Sequence, residues 1–335
     1  MALRFIDGML HYSVPSQLGA KYSAFNNSSM TSMTGRRSST TALKMGTASD
    51  YISMTFDNQQ TWIVGFAYQM MGNEGSLLLQ ANDSAANNQL AVVITTAGAI
   101  QLMRGGQYGT VIATSSNAIP LNTWNYIEVK MTIASSGGIF EVRVNESVWV
   151  TYSGNTQSST NANANYIQIK GRYSSCAYMD VYMCDGSGSR NNTYLGDCRI
   201  DTVRPSAAGT YTQLTPQGSA SNYANVNETT LDSDSSYNYS NTAGNIDSFV
   251  CSTLTSITGT IFGVQSNVAA DKDDAGSRTI AVTTRVSSTD YTGSTQSVST
   301  TYVYYKQIWE QNPNAAANWT ATTINASEFG YKVIA

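Results

Sequence analysis

The stretch Leu121–Gly154, LNTWNYIEVKMTIASSGGIFEVRVNESVWVTYSG, decides the fold. Read in twos, Ile127, Val129, Met131 and Ile133 form one row, and Tyr126, Glu128, Lys130 and Thr132 form the other. Beyond Ser135–Gly138 the alternation resumes with Phe140, Val142 and Val144 on the apolar side. Period-two patterning on both sides of a Gly-containing loop reads as an antiparallel hairpin with one buried face. A four-residue Ser135–Gly138 turn satisfies parity and sets Ile133 opposite Phe140 and Val129 opposite Val144. It also sets Lys130 opposite Arg143, a like-charge pair costing about a few tenths of a kcal/mol that Glu128 and Glu141 shield diagonally.

Working outward, the same texture continues. Tyr51–Phe56 and Trp62–Met71 read as strands, with Gly65 marking a bulge or a close backbone approach. Gln89–Thr95, Ala99–Met103, Thr110–Thr114, Tyr166–Gly171 and Cys176–Cys184 follow, and Thr193–Asp201 reads as a final strand. In Cys176–Cys184, Tyr178, Asp180 and Tyr182 share one phase. Short strands at near-regular spacing, with no convincing helical period, predict a β-sandwich. Pro205 begins a looser region, so residues 1–204 are expected to form one domain and 205–335 a second, smaller β-sandwich. Its expected strands include Phe249–Leu254, Arg278–Val286, Tyr302–Trp309 and Trp319–Ile324. The fold class is all-β.

Composition narrows the function. Charged residues are 12% of the 335, about half the usual share, and Ser, Thr, Asn and Gln supply the polarity instead. The 21 tyrosines suit pleated, half-buried strands. A net charge of −4 offers no basic stripe for nucleic acid, and Arg36-Arg37 reads as an exposed loop pair. No apolar run approaches the roughly 18 residues that span a bilayer. The N-terminus MALRFIDGML lacks the pattern of a secretory signal, so the four cysteines (Cys176, Cys184, Cys198, Cys251) are expected to be free thiols. They show no CxxC spacing, and with one histidine a zinc site is not expected.

The first two hundred residues resemble a concanavalin A-like or laminin-G-like jelly roll. The match rests on Trp62–Tyr68, Leu90–Gln101 and Asn122-Thr-Trp-Asn-Tyr-Ile-Glu-Val, with Val142-Arg-Val-Asn similar to the family's Val-x-Val-Asn-Gly hairpin. Glu146 stands where Gly is usual, which implies a different turn type. Nearly the whole chain also resembles a group of tailed-bacteriophage virion proteins. The residues are Leu3-Arg-Phe-Ile-Asp-Gly-Met-Leu-His-Tyr, Gly35-Arg-Arg, Tyr178 through Gly188, Tyr194-Leu-Gly-Asp-Cys-Arg-Ile, Arg204-Pro with Gly209, Lys272 through Arg278, and Trp319-Thr to Asn325 through Val333. That resemblance implies a non-enzymatic structural protein on the virion surface, assembled in a host cytoplasm as a decoration, fibre or tail component. Its partners would be other virion proteins and copies of itself, a trimer being one form the family allows. A lectin-like tail fibre recognising host glycans is the alternative.

Chemistry was sought against that background. Glycoside hydrolysis needs two carboxylates about 5–9 Å apart; no Glu-x-Asp-x-x-Glu run is present, and Asp232 and Asp234 lie in a polar loop. Any Ser-His-Asp triad would have to use His11, the sole histidine. No phosphate-cradling glycine motif is present. An enzyme is therefore not expected, nor a cofactor. Laminin-G-like sandwiches can carry calcium at a rim, and Asp271, Asp273 and Asp274 are its candidates, with a solvated acidic turn capped by Gly276 as the blander reading. Tyr68, Tyr108, Tyr173, Tyr178 and Tyr182 are the candidates for a glycan or subunit contact, against a role as core.

Overall fold

The central hairpin forms between Trp124–Thr132 and Gly138–Val144, two residues away from the register that parity alone allows. Ile127 faces Val144, Val129 faces Val142 and Met131 faces Phe140, so the apolar row is kept. Charge selects between the two registers. The observed one sets Lys130 opposite Glu141 and Glu128 opposite Arg143, two attractive pairs in place of the expected Lys130–Arg143 clash. The connection lengthens to 133–137, with Gly137 left-handed at φ +67°.

The computed structural model describes residues 2–12, 14–255, 257 and 259–335, which divide into units Met1–Ile200 and Asp201–Ala335. The first unit is a sandwich of two antiparallel sheets. One runs β13 (Ser147–Gly154), β12 (Gly138–Val144), β11 (Trp124–Thr132), β6 (Thr61–Met70), β15 (Cys176–Asp185), β4 (Thr41–Met45) and β3 (Thr31–Thr34), with β1 (Leu3–Asp7) also paired to β15. The other runs β10 (Thr110–Ala118), β9 (Ala99–Arg104), β8 (Asn88–Ile94), β7 (Ser76–Asn82), β14 (Ala164–Lys170), β5 (Tyr51–Gln59) and β2 (Ala24–Asn26). The core lies between them. Trp62 of β6 donates its indole N–H to the Ala164 carbonyl of β14 at 2.9 Å and packs on Phe56 of β5, while the Tyr178 hydroxyl reaches the Lys170 carbonyl at 2.6 Å.

Gly65 marks a close approach. A Cβ there would stand 2.1 Å from the Tyr182 ring, which lies against the outer side of β6. Tyr178 and Tyr182 do not share a face as the alternation implied. The register of β15 on β6 shifts between Met179 and Tyr182, where Asp180 has φ +52°. This bulge turns Tyr178 into the core and Tyr182 outward.

The stretch after β15 is not a strand. Its backbone bonds to side chains rather than a ladder: Leu195 N–H to the Tyr182 hydroxyl, Gly196 N–H to Glu128 and Ile200 N–H to Asp180. It straps the outer face of the eight-stranded sheet, so the row that carries Tyr126 and Glu128 is buried as well as the apolar one. The hairpin at Asn145-Glu146 has both residues left-handed, at φ 49° and 66°, the condition for an ordinary type I′ turn. The substitution of Glu for Gly has left the turn type unchanged.

The second unit holds a five-stranded antiparallel sheet in the order β16 (Pro205–Thr212), β19 (Ile246–Cys251), β24 (Glu328–Val333), β21 (Thr279–Val286) and β22 (Thr289–Ser297). Two ribbons accompany it, β17 (Thr215–Gln217) with β18 (Tyr237–Tyr239), and β20 (Val264–Ala270) with β23 (Val303–Trp309). Val282, Val298 and Tyr305 pack one small core; Val286, Trp319 and Ile324 pack another. The expected strand Trp319–Ile324 is instead a short helix, α1 (Ala321–Asn325), because the Thr320 hydroxyl caps the Thr323 N–H at 3.1 Å. No helix among the described residues is long and apolar enough to cross a membrane.

Candidate active face of the first sandwich

β14 lies mid-sheet, between β7 and β5. Its sequence Tyr166-Ile-Gln-Ile-Lys170 alternates, so Ile167 and Ile169 enter the core while Tyr166, Gln168 and Lys170 stand on the outer face. All three are half-buried, reachable by solvent yet set among neighbours. Register supplies those neighbours: Gln168 lies between Gln80 and Ser53, Tyr166 between Asn82 and Thr55, and Lys170 beside Tyr51.

The side chains are linked. Gln168 donates its amide N–H to the Tyr166 oxygen at 3.1 Å, which leaves the phenolic O–H to donate outward. The Lys170 ammonium stands 5.1 Å over the Tyr51 ring, a cation–π contact. Burial pushes its pKa down, and nearby Asp50 works against that shift. Gln80 reaches across to Asn82 and Asn88 at 2.9 and 2.7 Å. Beside this row Leu77, Ala91 and Met103 are buried in a small apolar cluster, with half-buried Val93 packed against it.

Beyond Tyr166, two loops, 83–87 and 155–163, close on one buried carboxylate. Asp83, 2% exposed, accepts from the backbone N–H groups of Ala85 and Asn87, the Asn87 and Asn161 amides and the Ser159 hydroxyl at 2.7–3.1 Å. Burial would raise its pKa, but the hydrogen bonds from Ser159, Asn87 and Asn161 outweigh it and hold the value to about 2. Fully buried Gln89 ties in the loop after β13, with Ser158 N–H at 2.9 Å and the Ser159 hydroxyl at 2.8 Å. Above these groups opens a cleft of about 660 Å³ lined by Asn87, Asn88, Gly105, Gly106, Ser158 and Thr160, among others. Gly106 makes room for it, since a Cβ there would meet the Asn88 amide at 2.5 Å.

The structure separates the tyrosines named from sequence. Tyr108 and Tyr173 are 94% and 73% exposed, whereas Tyr68, Tyr178 and Tyr182 are buried and serve packing. Tyr108 stands on the turn that supplies Gly105 and Gly106 to the cleft. Among the acidic candidates, Asp274 accepts from Gly276 N–H at 2.9 Å and from Arg278 at 2.6 Å, a self-contained turn. Burial raises the pKa of Asp271, with Asp234 adding to it. No group of three or more His, Cys, Asp or Glu side chains among the described residues is arranged to hold a metal ion. His11 lies 3.4 Å from the Lys21 ammonium and 3.9 Å from Asp7. Arg36 and Arg37, expected to be exposed, both bind the buried carboxylate of Asp180.

Tyr166, Gln168 and Lys170 were missed because they sit in a strand already explained by its apolar phase. The available signal was the other phase: a phenol, an amide and an ammonium at successive outward positions.

No protein-family model and no curated protein matches the chain. Among solved structures it is similar to an endo-β-1,4-glucuronan lyase from the fungus Trichoderma reesei, at 10% identity over 55% of this chain and 95% of that one, with a TM-score of 0.40. It is also similar to the alginate lyase Aly36B, at 10% identity over 50% and 87% with a TM-score of 0.37. A Trypanosoma rangeli sialidase mutant displaying trans-sialidase activity matches at 9% identity over 46% and 26%, with a TM-score of 0.34. The expectation of a non-enzymatic virion protein, with a lectin-like tail fibre as its alternative, is corrected here: the solved structures named are glycan-cleaving enzymes, and none is a virion component. The physical reason lies in the chemistry sought. A carboxylate pair, a Ser-His-Asp triad and a nucleotide loop mark particular hydrolytic and phosphoryl-transfer mechanisms, and eliminative cleavage requires none of them.

Proposed function

We propose that the open face of the seven-stranded sheet cleaves a uronate-containing polysaccharide by β-elimination. The observation that carries this is the outward phase of β14, which sets Tyr166, Gln168 and Lys170 in one row with Tyr51 and Gln80 across from them.

Elimination begins with removal of the C5 proton, α to the sugar carboxylate. The electron pair forms the C4=C5 double bond as the C4–O bond breaks, and the leaving oxygen takes up a proton. No water is consumed. The step asks a protein for two things: charge and hydrogen-bond donors on the carboxylate, which stabilise the carbanion-like state, and a group that moves a proton. The Gln168 and Gln80 amides beside Tyr166 meet the first demand, and Lys170, about 13 Å further along β14, holds the carboxylate of a neighbouring unit. Tyr166, steadied by the Gln168 amide, meets the second: its phenolate form takes the C5 proton, and the phenol so formed gives it to the leaving oxygen and returns to phenolate.

The test is absorbance at 235 nm, where the new double bond conjugated to the carboxylate absorbs. Purified protein is incubated with alginate, glucuronan, polygalacturonate and hyaluronan, alongside Tyr166→Phe and Lys170→Ala. A rising signal with one or more polymers, lost in both variants, is expected. New reducing ends without 235 nm absorbance, or a signal that neither variant changes, would overturn the reading.

A further inference from the structure

We infer that the cleft formed by the loops 83–87, 105–109 and 155–163 binds an uncharged sugar unit of the same chain, so that the substrate mixes uronate with neutral sugars. This rests on the β14 reading above and adds the identity of the neighbouring unit.

Three observations carry it. First, the lining is all neutral: Asn87, Asn88, Ser158 and Thr160 offer amide and hydroxyl partners, and Gly105 and Gly106 bring bare backbone close. These groups match sugar hydroxyls and hold no cation for a carboxylate. Second, the floor is anionic. Asp83 is buried beneath the loops with its oxygens directed to their donors, and its charge disfavours a second carboxylate above it. Third, Tyr108 stands almost wholly exposed on the turn beside Gly106, and that turn is closed by Gly109 N–H on the Gly106 carbonyl at 2.8 Å. An exposed phenol ring on a tied turn is a platform for a sugar ring.

The cleft is reached from the Tyr166 end of the row, across the sheet. Tyr166 is opposite Asn82 on β7, and Asn82 is opposite Asn88 on β8, so the cleft wall is about 10 Å from Tyr166 by strand spacing. Lys170 lies about 13 Å from Tyr166 along β14, roughly at right angles to that path. A bound chain several units long therefore meets a cationic position at one end and a neutral one at the other.

The experiment is calorimetric titration with cellotriose and with trigalacturonate, using Tyr166→Phe protein so that the acidic probe is not consumed. Tyr108→Ala and Thr160→Lys are each added to that background, both at exposed positions. Cellotriose binding is expected to weaken about tenfold in the Tyr108→Ala protein, the scale of one aromatic contact. Trigalacturonate binding is expected to be unaffected by Tyr108→Ala and to strengthen with Thr160→Lys. Cellotriose affinity unchanged by both substitutions, or trigalacturonate displacing cellotriose from the cleft at equal affinity, would overturn the inference. Absorbance at 235 nm, followed with Tyr108→Ala and Thr160→Lys in otherwise native protein, separates the two readings. Activity without cellotriose binding removes the cleft assignment alone, and cellotriose binding without activity removes the β14 assignment alone.

Discussion

The first sandwich has two outer faces, and the one richer in reactive groups is the closed one. On the eight-stranded sheet, Tyr126, Glu128, Asp180 and Tyr182 are all at most 2% exposed, and Arg36 and Arg37 converge on Asp180. On the seven-stranded sheet stand only Tyr166, Gln168, Lys170 and their neighbours, half-buried. What separates the faces is where the hydrogen bonds go. Glu128 accepts from the Tyr182 hydroxyl at 2.5 Å and from Gly196 N–H at 2.9 Å, and Asp180 accepts from Ile200 N–H at 3.0 Å. The closed face uses its acids to hold the chain's own strap, whereas β14 leaves a phenolic O–H and an ammonium to meet something else. Chemical richness alone is therefore a poor guide to a site; unspent hydrogen-bonding capacity on an accessible face is a better one.

The sharpest way to break this comparison is Asp180→Ala. Removing the shared partner strands two largely buried guanidinium groups, and a loss of about 3–5 kcal/mol in unfolding free energy is expected from urea denaturation. Activity at 235 nm per folded molecule should stay unchanged. If activity falls faster than the folded fraction, the strapped face contributes to catalysis and the division between faces fails.

Tyr166→Phe and Lys170→Ala should show the mirror image. Loss of one proton-moving group typically costs about 10²–10⁴ in rate, while substitution at half-buried positions outside the core should move the unfolding free energy by about 0.5 kcal/mol or less. A large drop in stability in either variant would make the row structural.

Much of this was legible in the sequence, and the failures have physical causes. Period two located the strands and the apolar row of β11 and β12, but a shift of two residues preserves that row, so only the Lys130–Glu141 and Glu128–Arg143 pairs distinguish the registers. The bulge at Asp180 inverts the phase of Tyr182 against Tyr178, and no local pattern announced it. The strap was read as a strand because its apolar residues alternate; two of its partners, Glu128 and Glu146, lie some fifty to seventy positions earlier. The Tyr166 row was visible as letters, yet whether a strand's second phase is open or covered is a long-range fact.

The cleft end sharpens the comparison by pH. Hydrogen bonds from Ser159, Asn87 and Asn161 hold the Asp83 carboxyl at about 2, below the ordinary carboxylate range. Its stabilisation is therefore fully present above the unfolded value and is lost as pH falls through the folded one. Acid denaturation of the wild-type chain should show that loss between about pH 4 and pH 2. Asp83→Asn should be less stable at neutral pH by about 1–3 kcal/mol and flatter across the same window. An unchanged profile would mean that the loop after β13 is held by Gln89 without the carboxylate.

The smallest effect tests what the strap is worth. Two hairpins turn through left-handed pairs without glycine: Asn145-Glu146 beside the strap, at φ 49° and 66°, and Ser287-Ser288 between β21 and β22, at φ 49° and 65°. A non-Gly residue in that conformation costs about 1–2 kcal/mol, which Gly relieves in part against its greater freedom in the unfolded chain. Ser288→Gly, at an exposed turn, should raise the unfolding free energy by about 0.5–1 kcal/mol. Glu146→Gly relieves the same strain but gives up the bond from Asp197 N–H to the Glu146 carboxylate at 3.3 Å. Its net gain should be smaller by about the worth of that bond, some 0.5–1.5 kcal/mol, and can fall below zero. Equal gains in the two variants would show that Glu146 adds nothing to the strap, and the closure of that face would then rest on Glu128, Tyr182 and the arginine pair on Asp180.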